Sequence, residues 1–255
     1  MTGAAGRVGA ILRAGLAGRH EGIRLLDRRS LGAPGPGEET IVGDLLDRST
    51  IRHALQGVDA VIHLAGAPDP RDFGEMFATN VRGLYEFFEA SRRAGVRRIV
   101  FASTNHTYGM YPVEHPMTAA DPVRPDSFYG VTKVFGEAML RYYHDKHGIE
   151  SVSVRIGSLV ERPTEQRHLS TWLSPRDAVE LFDRALKQPQ VGAAVVFGMS
   201  NNRRIRIDQP NWGAIGFTPA DDAEAWLDRL KAEGVEVEGP PAWTRHGGSY
   251  EAPDY

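Results

Sequence analysis

Tyr129-Gly130-Val131-Thr132-Lys133 places a phenol and an amine four residues apart, one turn along the same face of a predicted helix. A phenol beside an ammonium ion and a cationic nicotinamide ring has its pKa lowered by both charges. It can then take the proton of an alcohol while a hydride leaves for the ring. Ser103 and Thr104 end the preceding predicted strand, and a parallel sheet opens its crevice at such strand ends. Taken alone, the Tyr–Lys spacing also fits an ordinary amphipathic helix with the Tyr buried and the Lys solvated.

A second constellation opens the chain. Gly3, Gly6 and Gly9 follow the spacing G-x-x-G-x-x-G, with Arg7 and Val8 starting an amphipathic stretch. Such a turn brings backbone amides to a pyrophosphate at a helix N-terminus, where the dipole is positive. Asp27, 18 residues after Gly9, ends the next strand. An acid there accepts both ribose hydroxyls of an adenosine and repels a 2′-phosphate. A strand-end cap is its plainer role. Arg28 and Arg29 would suit a phosphorylated ribose, but Asp27 holds the inner position, so NAD is the expected cofactor.

These residues need a frame. Apolar, β-rich runs over 23–27, 40–44, 60–64, 98–103, 151–156 and 194–197 read as short buried strands. Residues 7–16, 50–56, 73–94, 128–147, 175–187 and 221–232 carry apolar side chains at helical spacing. That alternation predicts an α/β fold, a doubly wound parallel sheet covered by helices on both faces. The first strand reads as truncated: the glycine loop should follow a buried central strand, yet only Met1 and Thr2 precede Gly3. A missing centre would leave backbone groups of two neighbours unpaired, so an upstream apolar segment is expected. Residues 243–255 show neither period and are expected to form a tail on the surface or on a neighbour.

With 255 residues, 41% hydrophobic and a net charge of −3, the chain reads as globular. No block of five like charges appears, which argues against nucleic acid or a membrane surface as partner. The absence of Cys removes disulfides, thiol nucleophiles and thiolate metal sites together. His144 and His147 flank Asp145 and Lys146 at a helix end and read as exposed residues, so no metal is expected. No apolar run reaches the roughly 18 residues of a membrane span. A soluble, cytoplasmic protein is the expectation.

Taken in order along the chain, Gly3/Gly6/Gly9, Asp27, Asp44-Leu45, His63-Leu64-Ala65-Gly66, Asn80, Ser103-Thr104 and Tyr129/Lys133 resemble the extended short-chain dehydrogenases/reductases. That is the family of NAD-dependent sugar epimerases and dehydratases. A narrower similarity, to uronate dehydrogenases, is carried by the stretches 101–107, 124–126 with 129–133, 154–158 and 170–172. It continues weakly through 216–219 and Gly247-Gly248.

The resemblance implies a Rossmann core over 1–158. Residues 159–255 would supply substrate-binding segments, the last core elements and the tail. It implies that Arg7, Val8, Asp44, Leu45, Leu64, Ala65, Gly66, Asn80, Ser103 and Ile156 join the glycines, Asp27, Tyr129 and Lys133 in holding NAD. Tyr129 would be the base on the C1 hydroxyl of galacturonate or glucuronate, a sugar acid oxidised to an aldarolactone. Lys133 would lower its pKa and hold the nicotinamide ribose. Thr104 stands where a catalytic Ser is usual. Asn105, His106 and Ser158 would bind ring hydroxyls, and Arg167 would grip the C6 carboxylate in a bidentate pair.

Without the resemblance the same residues read more plainly. His106 would bond a backbone carbonyl, Ser158 would cap a strand end, and Arg167 would be a solvated loop residue. Pro68 departs from the family, which usually has a polar residue there. Pairing through helix 128–147 and the one before it is also implied, so a homo-oligomer, dimer or higher, is expected. Two other functions fit the cofactor residues. A nucleotide-sugar epimerase or dehydratase is disfavoured because only 97 residues follow Ser158, short for a lobe that grips a nucleotide. A non-catalytic NAD-binding sensor would have no need of Tyr129 and Lys133.

Overall fold

A computed structural model describes residues 1–68, 72–239, 241 and 243–252. Six strands build the main sheet: β1 (Ile23–Asp27), β2 (Glu38–Val42), β3 (Ala60–His63), β4 (Arg98–Thr104), β5 (Glu150–Ile156) and β6 (Ala193–Gly198). All pairings are parallel, β1 with β2 on one side and β3, β4, β5 and β6 in that order on the other. Every residue of β4 is buried, as a central strand covered on both faces requires.

Helices α1 (Arg7–Leu16) and α5 (Pro175–Lys187) cover one face. There Leu12 and Leu16 pack with Val179, Phe182 and Ala185 over Val100, Val152 and Val154. On the other face lie α2 (Arg48–Leu55), α3 (Leu84–Arg93) and α4 (Phe128–His147), whose Phe87, Phe88, Leu140 and Tyr143 meet Ile99 and Phe101. The helix expected over 73–94 runs as a helical turn, a π-helical segment Phe77–Gly83, and then α3. Such wide turns re-aim side chains, here Asn80. Ser127 caps α4 by accepting the Gly130 amide at 3.1 Å, and Gly148 ends it in the left-handed conformation. Capping at both ends holds the 20-residue α4, and with it Tyr129 and Lys133, in register against β4 and β5.

Met1 and Thr2 occupy the place of the short central strand. The Leu26 amide donates to Met1 O (2.8 Å) and the Thr2 amide to Ile62 O (3.0 Å), so these two residues bridge the ends of β1 and β3. Beyond them, Ile23, Arg24, Ala60 and Val61 line a cavity of about 670 Å³ between the two strands. The backbone opening anticipated from sequence is therefore confined to the N-terminal halves of β1 and β3, away from the crevice.

His63, at the end of β3, is fully enclosed, with its Nδ1 3.0 Å from Thr2 Oγ1 and its ring stacked near Phe101. Burial lowers its pKa to about 3, helped by Lys133 and the N-terminal ammonium. The folded protein thus keeps this ring neutral where the unfolded chain, with a pKa near 6.5, protonates it. Stability is unaffected above about 6.5 and is lost as pH falls toward 3. Between pH 6.5 and 4 the expected loss is about 3 kcal/mol. Urea titrations along that range should show the slope in the parent and a flatter one in His63→Gln; equal slopes would reject this source.

Candidate active site

The C-terminal ends of the parallel strands lie along one edge of the sheet, and the glycine loop sits at that edge. Gly3 has φ +66°, and a Cβ on it would stand 2.7 Å from the Ala65 amide nitrogen. A Cβ on Gly9 would lie 2.4 Å from Gly3 O. Only glycines let the loop fold this tightly onto α1. Gly6 is the N-cap of α1 and makes no side-chain cap, so the first-turn amides, from Arg7 and Val8 onward, remain available to an anion. A dinucleotide's pyrophosphate fits this cradle.

Of the two roles weighed for Asp27, the strand-end cap is the one its contacts show. Its Oδ2 accepts the Ala5 amide and its Oδ1 the Arg29 amide, both at 2.9 Å. The carboxylate thereby pins the glycine loop, while its remaining lone pairs are free to accept ribose hydroxyls. Asp44 is exposed and accepts the Leu46 amide, whereas Leu45 is buried in the core.

After β3, Leu64, Ala65 and Gly66 turn past Thr2, whose Oγ1 accepts the Ala65 amide. Asn80 accepts the Ala67 amide (2.7 Å) and donates to Ala67 O (2.8 Å) and Thr132 Oγ1 (3.1 Å). Its amide is spent on shaping this loop, so any effect on a cofactor is relayed through the backbone. Pro68 is exposed beside that loop.

Tyr129 and Lys133 meet the end of β4. Thr104 Oγ1 accepts the His106 amide at 3.3 Å, and its side chain acts to lower the pKa of the Tyr129 phenol. Lys133 Nζ donates to Ala102 O at 2.9 Å and lies over the Phe101 and Tyr129 rings, at 4.8 and 5.6 Å. Lys133 by itself does not lower the Tyr129 phenol. Burial pushes Tyr129 up and the nearby Tyr250 adds to it, with only Thr104 opposing. Burial also lowers Lys133 to about 8. The reason is position: the ammonium faces the ring and a carbonyl, and both groups have lost water.

Ser103 departs from its companion. Its Oγ donates to Glu137 Oε1 (2.6 Å), and Glu137 pairs with Arg155 through two hydrogen bonds of 3.0 and 2.8 Å. This buried network ties β4, α4 and β5 together behind the crevice. Ile156 ends β5 at the crevice rim.

On the sugar side, Asn105, His106, Ser158 and Arg167 converge. With its amide oriented to suit its neighbours, Asn105 donates to Ile156 O (3.1 Å) and accepts from Arg167 Nη2 (2.6 Å). Arg167 also donates from Nη2 to His246 O (3.0 Å) and from Nη1 to Ser158 Oγ (3.4 Å). Its Nε is buried with no partner, and burial lowers its pKa. Among the described residues no carboxylate lies within ion-pair distance of it. Ser158 shares a 2.8 Å bond with Thr171 Oγ1. His106 bonds the carboxylate of Asp126, not a backbone carbonyl.

The tail also differs from expectation. Arg245 bridges to Pro112, His246, Gly247 and Gly248 are buried, and Tyr250 stacks on His106 with ring centroids 4.0 Å apart. His246, Gly247, Gly248 and Tyr250 thus pack onto the site, and residues 253–255 of the expected tail lie outside the described residues. Asp126, Glu137, Arg155 and Tyr250 are site residues that pattern reasoning passed over. A cue existed only for Asp126, which precedes the helix cap Ser127.

A family model described as the NAD dependent epimerase/dehydratase family matches residues 1–174. Over 251 residues the chain is 40% identical to uronate dehydrogenase of Pseudomonas putida, covering 98% of this chain and 94% of that protein. It is 34% identical to L-arabinose 1-dehydrogenase (NAD(P)(+)) of Haloferax volcanii, covering 88% of this chain and 96% of that one. A crystal structure of a uronate dehydrogenase mutant from Agrobacterium tumefaciens, complexed with NAD, aligns with a TM-score of 0.92 at 38% identity, covering 100% of this chain and 97% of that one. Because the matched stretch runs unbroken from the glycine loop through the Tyr129 helix, the chain belongs to the NAD dependent epimerase/dehydratase family.

Proposed function

We propose that this protein is an NAD-dependent dehydrogenase that oxidises a hexuronate at C1 to its aldarolactone. The observation that carries the choice of substrate is Arg167, a desolvated guanidinium with an orphaned Nε and no carboxylate partner among the described residues. A cation so placed calls for an anion from the ligand, and a planar guanidinium suits a carboxylate bidentately. Similarity to uronate dehydrogenases supports the same reading.

The glycine cradle and Asp27 hold the dinucleotide, which when bound accepts the hydride from C1. Tyr129 takes the proton of the C1 hydroxyl, Thr104 hydrogen-bonds the same oxygen, and the positive charge of the oxidised nicotinamide would favour the phenolate that burial disfavours. Asn105, His106 and Ser158 orient the ring. Residues 1–158 thereby carry the cofactor and the proton transfer, and 159–255 shape the sugar pocket.

Phe73, Phe77, Phe128 and Val131 are exposed, and Phe73 packs against Phe77 and Phe128, giving an apolar face that suits a homo-oligomer. A nicotinamide-linked, Cys-free chain suits the cytoplasm.

The test is NADH absorbance with galacturonate, glucuronate, neutral aldoses and nucleotide sugars. Free NADH should accumulate with the uronates. Turnover of neutral aldoses alone, or cofactor that stays bound during conversion of a nucleotide sugar, would overturn the proposal.

A further inference from the structure

His106 is held more strictly than a hydroxyl-binding residue requires. Its Nδ1 lies 2.8 Å from Asp126 Oδ2, and the Asp126 side chain is 0% exposed while that of His106 is 14% exposed. The other carboxylate oxygen accepts Ser127 Oγ at 2.9 Å. Two glycines wall the carboxylate in. A Cβ on Gly109 would stand 1.7 Å from Asp126 Oδ2, and one on Gly247 would stand 2.1 Å from it. The Gly247 amide donates to Gly109 O (2.9 Å), which closes the slot with the C-terminal tail. The imidazole also stacks on Tyr250 at 4.0 Å and meets the Tyr129 ring edge-on at 6.1 Å.

These contacts decide where the imidazole proton sits. An ionised carboxylate only accepts, so Nδ1 must carry the hydrogen. The neutral ring then has a lone pair on Nε2, on the edge opposite Asp126. Among the described residues, Nε2 has no hydrogen-bond partner. A buried carboxylate with room for nothing larger is a device for selecting a tautomer.

We propose that Asp126 is a positioning residue for substrate recognition: it locks His106 as the Nδ1–H tautomer, so that Nε2 accepts a hydrogen bond from a sugar hydroxyl near the oxidised carbon. The substrate part rests on the dehydrogenase reading above, whereas the tautomer does not. An acceptor at this position rewards a hydroxyl that has no other partner and penalises an analogue without it.

Two measurements test this. The first is ¹⁵N NMR of the imidazole nitrogens in the unliganded parent. His106 should show a protonated Nδ1 and an unprotonated Nε2 near pH 8, and Asp126→Asn, whose amide can donate to Nδ1, should shift the ring toward Nε2–H. A parent His106 protonated at Nε2 overturns the proposal whatever the enzyme's substrate proves to be.

The second is kinetic. Asp126→Asn should lower kcat/KM for the uronate by roughly 10- to 100-fold, with the NAD dissociation constant and Tm close to the parent's. With hexuronates lacking one hydroxyl at a time, one analogue should show less than a threefold difference between parent and variant. An equal loss on every analogue would mean that Asp126 only supports the fold, and would overturn the recognition role. A parent inactive on all sugar acids would overturn the dehydrogenase reading and the recognition role with it, while the NMR result still stands for the tautomer.

Discussion

Tyr129→Phe is expected to lower kcat on the uronate by about 10²–10⁴-fold while leaving NAD binding near the parent's. The phenol oxygen is the only group removed, and the ring that Lys133 overlies is kept. Proton transfer belongs to the transition state, so the loss falls on kcat, with KM little moved. The pH profile gives a second signature. Burial and Tyr250 raise the phenol's pKa, so the parent's rate should climb with pH as the phenolate is populated. The residual rate of the variant should lack the acidic limb. Stopped-flow hydride transfer with saturating NAD would read both; a variant within threefold of the parent would remove Tyr129 as the base.

Arg167→Ala is expected to act on the other parameter. If Arg167 holds the C6 carboxylate, its loss forfeits a charge-assisted pair shielded from water, on the order of 2–4 kcal/mol. That is a rise in KM for uronates of about 30- to 1,000-fold, with kcat changed much less. Arg167→Lys keeps the charge but loses the planar fork and should fall between the two. Neutral aldoses supply the control, since they offer nothing to the guanidinium and should not be penalised. Initial-rate kinetics on both sugar classes decide it: an unchanged KM for uronates removes the carboxylate role.

The two variants probe different kinds of inference. Tyr129 and Lys133 lie within one helical turn, and Gly3, Gly6 and Gly9 within one loop, so local spacing alone brings each group together. The six strands and the parallel order were legible for a related reason. A strand buried on both faces must be apolar along its length, and β4 is.

What escaped was set by contacts between distant residues. Ser103 and Thr104 are adjacent, yet Ser103 turns to Glu137 and Thr104 to the His106 amide, as alternate residues of a strand must face opposite ways. Burial, which local spacing does not reveal, raises the Tyr129 phenol against the charges weighed from sequence. The tail lacked any period because it forms no amphipathic element. It is held by single contacts such as Gly247 to Gly109 and Tyr250 to His106, each more than 100 residues away in sequence.

The amino-acid sequence by itself therefore determined the layered α/β frame, the dinucleotide cradle and the Tyr–Lys pair, since each is written in spacings shorter than a helix or a strand. Only the tertiary structure decided that Arg167 is desolvated without a carboxylate among the described residues, that Asp126 governs His106, and that the tail closes over both. Burial and long-range pairing are properties of the packed chain, and no local pattern encodes them.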